Sequence, residues 1–114
     1  MPAEHAVRGF HSVTLAEQGY ESTAELLTGG MGLAHAGETG NRFRFRAAGT
    51  GTGTVVDVLC SPDMPPGQVA AGTVHHVAFR VEDDAAQERW RQRLAGRGLN
   101  VTPILDRQYF RSVY

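Results

Sequence analysis

Two stretches of this chain read alike, and that repetition limits the fold more than any composition figure. His11-Ser-Val-Thr-Leu-Ala16 and His76-Val-Ala-Phe-Arg-Val81 each open on a histidine and each run into a helical pattern. Each helix leads to a glycine-leucine step, Gly32-Leu33 in the first half and Gly98-Leu99 in the second. Three landmarks in matching order point to one supersecondary unit used twice. The unit reads β-α-β-β-β. A first copy occupies residues 1–60, a Pro- and Gly-rich linker residues 61–73, and a second copy residues 74–114, which is expected to lack its last strand. The expected class is α+β, built from tandem βαβββ modules.

Local patterns fill in the first unit. Gly9 to Ala16 reads as a strand with His11, Val13 and Leu15 on one face. Ser22 to Thr28 reads as a short helix; Ser22 is its candidate N-cap and Glu25 stands at the capping-box spacing, with Gly29-Gly30 as the stop. Asn41 to Arg46 alternates strictly, so Phe43 and Phe45 share one face and Arg42, Arg44 and Arg46 the other. The arginine face reads as a solvated outer surface, with a basic binding patch as the alternative. Gly49 to Gly53 reads as a hairpin turn and not a phosphate loop, because no Lys-Ser/Thr step or helix follows it. Thr54 to Cys60 is the returning strand.

Pro62, Pro65 and Pro66 exclude a central strand or a helix interior and mark the linker. Beyond it, Val74 to Val81 reads as a strand, with His76, Ala78 and Arg80 on one face and His75, Val77, Phe79 and Val81 on the other. The adjacent histidines therefore look in opposite directions. Glu82 to Ala95 reads as a helix, acidic at its start and basic in its second half as the macrodipole prefers. Ala86, Trp90 and Leu94 form its buried stripe. Strands are expected over Asn100 to Asp106, where Pro103 argues for an edge, and from Tyr109 to Tyr114.

Composition excludes several classes. A formal net charge of −1 leaves no electrostatic footprint for nucleic acid or an anionic membrane. No apolar run approaches the ~20 residues that span a bilayer, and the N-terminus has no signal-peptide core. Cys60 is the single cysteine, which excludes an internal disulfide and suits a reducing compartment. A cytoplasmic, soluble protein is expected. With no base identified beside it, Cys60 reads as a small core residue. His5 and His35 have no motif around them and read as solvated.

Tandem βαβββ modules with histidines opening their first strands resemble the vicinal oxygen chelate superfamily, the group of glyoxalase I, bleomycin-resistance proteins and extradiol dioxygenases. Gly9-Phe-His-Ser-Val-Thr-Leu15, Gly72-Thr-Val-His-His-Val-Ala-Phe79 and Leu105-Asp-Arg-Gln-Tyr-Phe-Arg-Ser-Val-Tyr114 are similar, more narrowly, to the C-terminal half of ring-cleaving dioxygenases of the hydroquinone-cleaving type. The resemblance runs from residue 8 to residue 114. It implies a glyoxalase-like fold, four modules in the parent enzyme, Fe(II) (with Mn(II) as the alternative metal) and a small aromatic diol as substrate.

Residue by residue, the resemblance implies His76 as a metal ligand, His75 as the neighbour behind it, and Arg107 and Tyr114 as polar groups of the substrate pocket. The family's metal carboxylate lies past the position of Tyr114, and its other metal histidine lies in a first module that this sequence does not contain. Only one ligand of a 2-His-1-carboxylate triad remains. Two-module members of the superfamily suggest a substitute set, His11, Asp57 and His76, brought together if the modules pair within one chain or across a strand-swapped homodimer. The plainer reading leaves Asp57 facing solvent at a sheet edge. The function implied is therefore a fragment of an extradiol-type dioxygenase, inactive alone and with its metal site incomplete. The alternative is a metal-free, small-ligand-binding or resistance-type module of the same fold.

Overall fold

A computed structural model describes residues 2–7 and 9–114. Met1 and Arg8, the latter the first residue of the stretch that carries the resemblance, lie outside the described residues. The chain divides into two compact units, Met1–His75 and His76–Tyr114.

The first unit follows the β-α-β-β-β order. Strand β1 is Ser12–Glu17, helix α1 Glu21–Glu25, and strands β2, β3 and β4 are Ala34–Thr39, Arg42–Arg46 and Val55–Cys60. They form one sheet in the order β1-β4-β3-β2. The β4 strand runs parallel to β1 and antiparallel to β3, so the last strand in sequence lies inside the sheet. Its residues Val55, Val56, Asp57 and Val58 are all buried, as an inner strand requires. The register between β2 and β3 breaks between His35 and Gly37. At the β2–β3 turn, Gly40 takes a φ of +59°, which glycine adopts without the Cβ penalty.

One sheet face carries the core. Leu27, Leu33, Phe45, Val56 and Val58 are its buried centre, with Val13, Leu15, Tyr20, Ala24 and Phe43 packed against them. Leu27 comes from a π-helical turn, Leu26–Gly30, that prolongs α1. There the Met31 amide donates to the Leu26 carbonyl at 2.8 Å.

The helix start differs from the capping-box expectation. Tyr20, not Ser22, occupies the N-cap position, and no side chain caps it. Packing positions the helix instead: the Tyr20 ring stacks on Phe43, with centroids 3.9 Å apart and planes 10° from parallel. Thr23 adds a hydrogen bond from its hydroxyl to Glu17 Oε1 at 2.8 Å. A large apolar overlap outweighs the single hydrogen bond that a serine cap supplies.

The proline-rich segment begins directly after β4. Its start is tied to the first unit, where the Ser61 amide donates to the Glu17 carbonyl at 2.7 Å and Gln18 Nε2 donates to the Met64 carbonyl at 2.7 Å.

The second unit holds helix α2, Asp84–Gly96, and a short antiparallel pair, β5 (Leu105–Asp106) with β6 (Arg111–Ser112). The α2 helix begins where Asp83 caps it, its carboxylate accepting the Ala86 amide at 2.7 Å. Ala86 is buried and Trp90 and Leu94 half-buried, so the expected stripe does face inward. Arg91 Nε donates to the Thr102 carbonyl at 2.9 Å and Gln87 Nε2 to the Arg111 carbonyl at 3.0 Å, joining helix to hairpin.

The strand expected over Val74 to Val81 is not formed. These residues adopt no regular hydrogen-bonded structure, and the division between the units falls between His75 and His76. Alternation alone does not make a strand; its amides and carbonyls need a neighbouring strand. The strands expected over Asn100 to Asp106 and Tyr109 to Tyr114 shrink to two residues each, paired with one another.

Candidate functional site

The first unit brings an acid and two bases together on the sheet face opposite the core. Alternation along β3 sends Phe43 and Phe45 into the core and Arg42 and Arg44 to the other side. The register sets Arg44 opposite Asp57 on one flank of β4, and Thr14 opposite it on the other. Asp57 is 1% exposed. Its Oδ1 accepts from Arg44 Nε at 2.8 Å, and its Oδ2 from Arg44 Nη2 at 2.9 Å and Arg42 Nη1 at 3.0 Å. Arg42 Nη1 also donates to the Thr14 hydroxyl at 3.1 Å.

This arrangement corrects two expectations. Asp57 is not a solvent-facing edge residue, because the parallel β1–β4 pairing puts β4 inside the sheet. Two of the three β3 arginines are not merely a solvated outer face, because a buried carboxylate needs charged partners to remain ionised. The Arg44 hydrogen bond holds the Asp57 carboxyl below the usual carboxylate range, overcoming the opposing effect of burial, and Arg42 reinforces it. The same contact raises the Arg44 guanidinium. Both Asp57 oxygens accept from guanidiniums, whose positive charges oppose a metal ion there.

His11 does not join this cluster. It precedes β1, is exposed, and has the parity of Val13 and Leu15, the core-side residues. The residues of β1 on the Asp57 face are Ser12, Thr14 and Ala16, as the Thr14–Asp57 pairing fixes. His35 is exposed, its ring edge-on to Phe45 at 5.5 Å.

Three of the residues singled out in the sequence meet in the second unit, around one aromatic ring. The His76 imidazole stands against Tyr114 with ring centroids 5.1 Å apart and planes at 65°. The Arg107 guanidinium carbon lies 5.5 Å from the Tyr114 ring centroid, within cation–π reach. Tyr114 is held by its backbone: its carbonyl accepts from the Thr102 amide at 2.7 Å and its amide donates to the Thr102 hydroxyl at 3.0 Å. The Arg107 amide donates to the Phe110 carbonyl at 2.8 Å, closing the β5–β6 turn. An imidazole, a phenol and a guanidinium thus share one patch, able in kind to ligate, to donate a proton and to hold an anion. His75 is exposed and belongs to the first unit. Among the described residues, neither unit gathers three His, Cys, Asp or Glu side chains able to hold a metal ion.

Sequence reasoning passed over Thr14 and the pairing of Arg42 and Arg44 with Asp57. The available signal was Asp57 itself, a lone acid in the apolar run Val55 to Leu59 opposite an arginine at every second position of β3.

A mixed sheet in the order β1-β4-β3-β2, with α1 between its first two strands in sequence, defines a protein of the glyoxalase fold class. The family model described as the Glyoxalase/Bleomycin resistance protein/Dioxygenase superfamily matches residues 9–114, and the chain belongs to that superfamily. It is 42% identical over 109 residues to MhqO of Bacillus subtilis strain 168, named a ring-cleaving dioxygenase, covering 96% of this chain and 34% of the relative. It is 34% identical over 119 residues to the chlorohydroquinone/hydroquinone 1,2-dioxygenase of Sphingobium indicum, covering 100% of this chain and 36% of that enzyme. The chain thus spans about a third of the length of these relatives. Among solved structures, a Bacillus subtilis strain 168 protein named as a dioxygenase superposes with a TM-score of 0.81 at 42% identity, over 89% of this chain and 32% of that one. A fosfomycin resistance protein from Listeria monocytogenes shares the fold alone, at a TM-score of 0.63 and 16% identity over 91% of this chain and 75% of that one. No helix among the described residues is long and apolar enough to cross a membrane.

Proposed function

We propose that this chain is part of a metal-dependent ring-cleaving dioxygenase acting on a dihydroxylated aromatic, to which it contributes His76 as one metal ligand. Fe(II), or Mn(II) in its place, is the metal of this reading. The observation that carries it is the meeting of His76 and Arg107 at the Tyr114 ring, on a chain related throughout its length to a hydroquinone dioxygenase.

The side chains do not by themselves fit a catalytic metal. The second unit supplies one imidazole, and the Asp57 carboxylate of the first is committed to two guanidiniums. A ligand set of His11, Asp57 and His76 would require Asp57 to loosen its hold on the guanidiniums, and the chain alone is expected to be inactive. In this reading Tyr114 and Arg107 shape the substrate pocket, the phenol as a hydrogen-bonding group and the guanidinium as a counter-charge for a diol that is losing its protons. His75 supports its neighbour from behind.

The commitment of Asp57 to arginine also favours a second reading, a metal-free small-ligand module of the same fold.

A chimera decides between them. This chain replaces the matching third of the Sphingobium indicum enzyme, and metal content and oxygen uptake with hydroquinone are measured beside circular dichroism. The dioxygenase reading expects bound metal and oxygen uptake, both lost in a folded His76→Ala chimera. A folded chimera without either property, or one indifferent to His76→Ala, overturns it.

A further inference from the structure

The β3 arginines have capacity beyond Asp57. Two guanidiniums face one carboxylate, so the cluster keeps one positive charge. Asp57 takes Nε and Nη2 of Arg44 and Nη1 of Arg42, and Thr14 shares that Nη1. The Nε–Nη2 edge of Arg42 and the Nη1 group of Arg44 bond no other protein group among the described residues. The Arg42 and Arg44 side chains are 43% and 42% exposed, so those edges reach solvent.

On the β2 side the surface dips beside them. Gly37 pairs with Arg44 and Thr39 with Arg42, and the register break at Ala36 opens the sheet edge. A hollow of about 320 Å³ results, lined by Ala36, Gly37, Glu38, Thr39, Arg42 and Arg44. A Cβ at Gly37 would meet nothing within 4 Å, so the space over it is open. Glu38 also lines the hollow; it pairs with Phe43 by register and forms no ion pair with either arginine among the described residues, whose ion pairs go to Asp57.

We propose that this hollow is an oxyanion site that takes a small carboxylate, with Arg42 as its forked partner and Arg44 supplying further charge. A planar guanidinium edge matches a planar carboxylate through two parallel hydrogen bonds. One residual positive charge suits a monoanion better than a phosphate dianion. The Thr39 hydroxyl offers a further donor at the rim. Asp57, itself almost fully buried, holds both guanidiniums in place beforehand, so little side-chain freedom is lost on binding. The inference rests on the unit Met1–His75 alone and is independent of the dioxygenase reading.

The test uses the 15N-labelled chain and benzoate, following the arginine Nε–Hε resonances. Arg42 and Arg44 signals shift saturably, and Arg42→Gln weakens binding about tenfold or more. Arg42→Gln leaves both Arg44 bonds to Asp57, so the fold is retained, and the amide spectrum checks this. Glu38→Gln leaves the affinity unchanged. Shifts that do not saturate, equal shifts from chloride at the same ionic strength, tighter binding of inorganic phosphate, or full affinity in Arg42→Gln would each overturn the proposal.

Discussion

Asp57→Asn keeps the volume of the most enclosed polar side chain in the first unit and removes its charge. The native carboxylate accepts three hydrogen bonds from two guanidiniums. Asparagine offers one oxygen; placed where Oδ2 sits it keeps the contacts to Arg44 Nη2 and Arg42 Nη1 without the carboxylate charge, and its amide nitrogen turns a donor toward Arg44 Nε, so one bond is lost and two are weakened. At roughly 1.5 kcal/mol for the lost bond and about half that for each weakened one, the gross loss is about 3 kcal/mol. Both arginines are more than two-fifths exposed, and water recovers part of that loss, leaving about 2 kcal/mol. This is roughly a 30-fold fall in the folded-to-unfolded ratio. Urea unfolding at pH 7, followed by far-ultraviolet circular dichroism, measures it.

The pH dependence adds a second check. The folded-state pKa of Asp57 lies below the ordinary value of 3.8, through its bonds to Arg44 and Arg42. The folded state therefore holds the ionised form more strongly than the unfolded chain does. Its contribution is complete above the unfolded value and drains away as pH falls through the lower folded one. Wild type and Asp57→Asn should differ at neutral pH and converge toward the acid end. A loss under about 0.5 kcal/mol, no more than an ordinary surface substitution causes, or a gap that persists unchanged into acid, refutes the buried ion-pair account.

Two further substitutions test the packing of each unit. Phe45→Ala removes a core side chain that is 2% exposed; it should cost about 3–5 kcal/mol in urea unfolding, while a surface-like loss would contradict the placement of β3. Asp83→Ala removes the α2 cap and should cost about 1 kcal/mol, with Asp83→Asn restoring most of it. Fluorescence of Trp90, the only tryptophan and a residue of α2, reads that transition.

Features that depend on near neighbours in the chain were legible. The strict alternation of Arg42 to Arg46 predicted both the strand and the face on which Phe43 and Phe45 are buried. The four-residue spacing of Ala86, Trp90 and Leu94 predicted the inward stripe of α2. The prediction failed where a distant partner decides the outcome. Ser22 lost the N-cap to the stacking of Tyr20 on Phe43, more than twenty positions away in the sequence. Val74 to Val81 alternates as a strand should, yet without a neighbouring strand it forms no ladder.

The βαβββ order of the first unit and the superfamily resemblance can be read from the chain of residues alone. The position of β4 between β1 and β3 cannot, and it is a product of tertiary packing. That placement buries Asp57 and turns Arg42 and Arg44 into its partners. Packing also brought His76 and Arg107 to the Tyr114 ring, and left His11 on the parity opposite Asp57. The physical reason is common to all of these. Side-chain periodicity says which residues of one strand share a face, but which strands become neighbours follows from contacts between segments far apart in the chain.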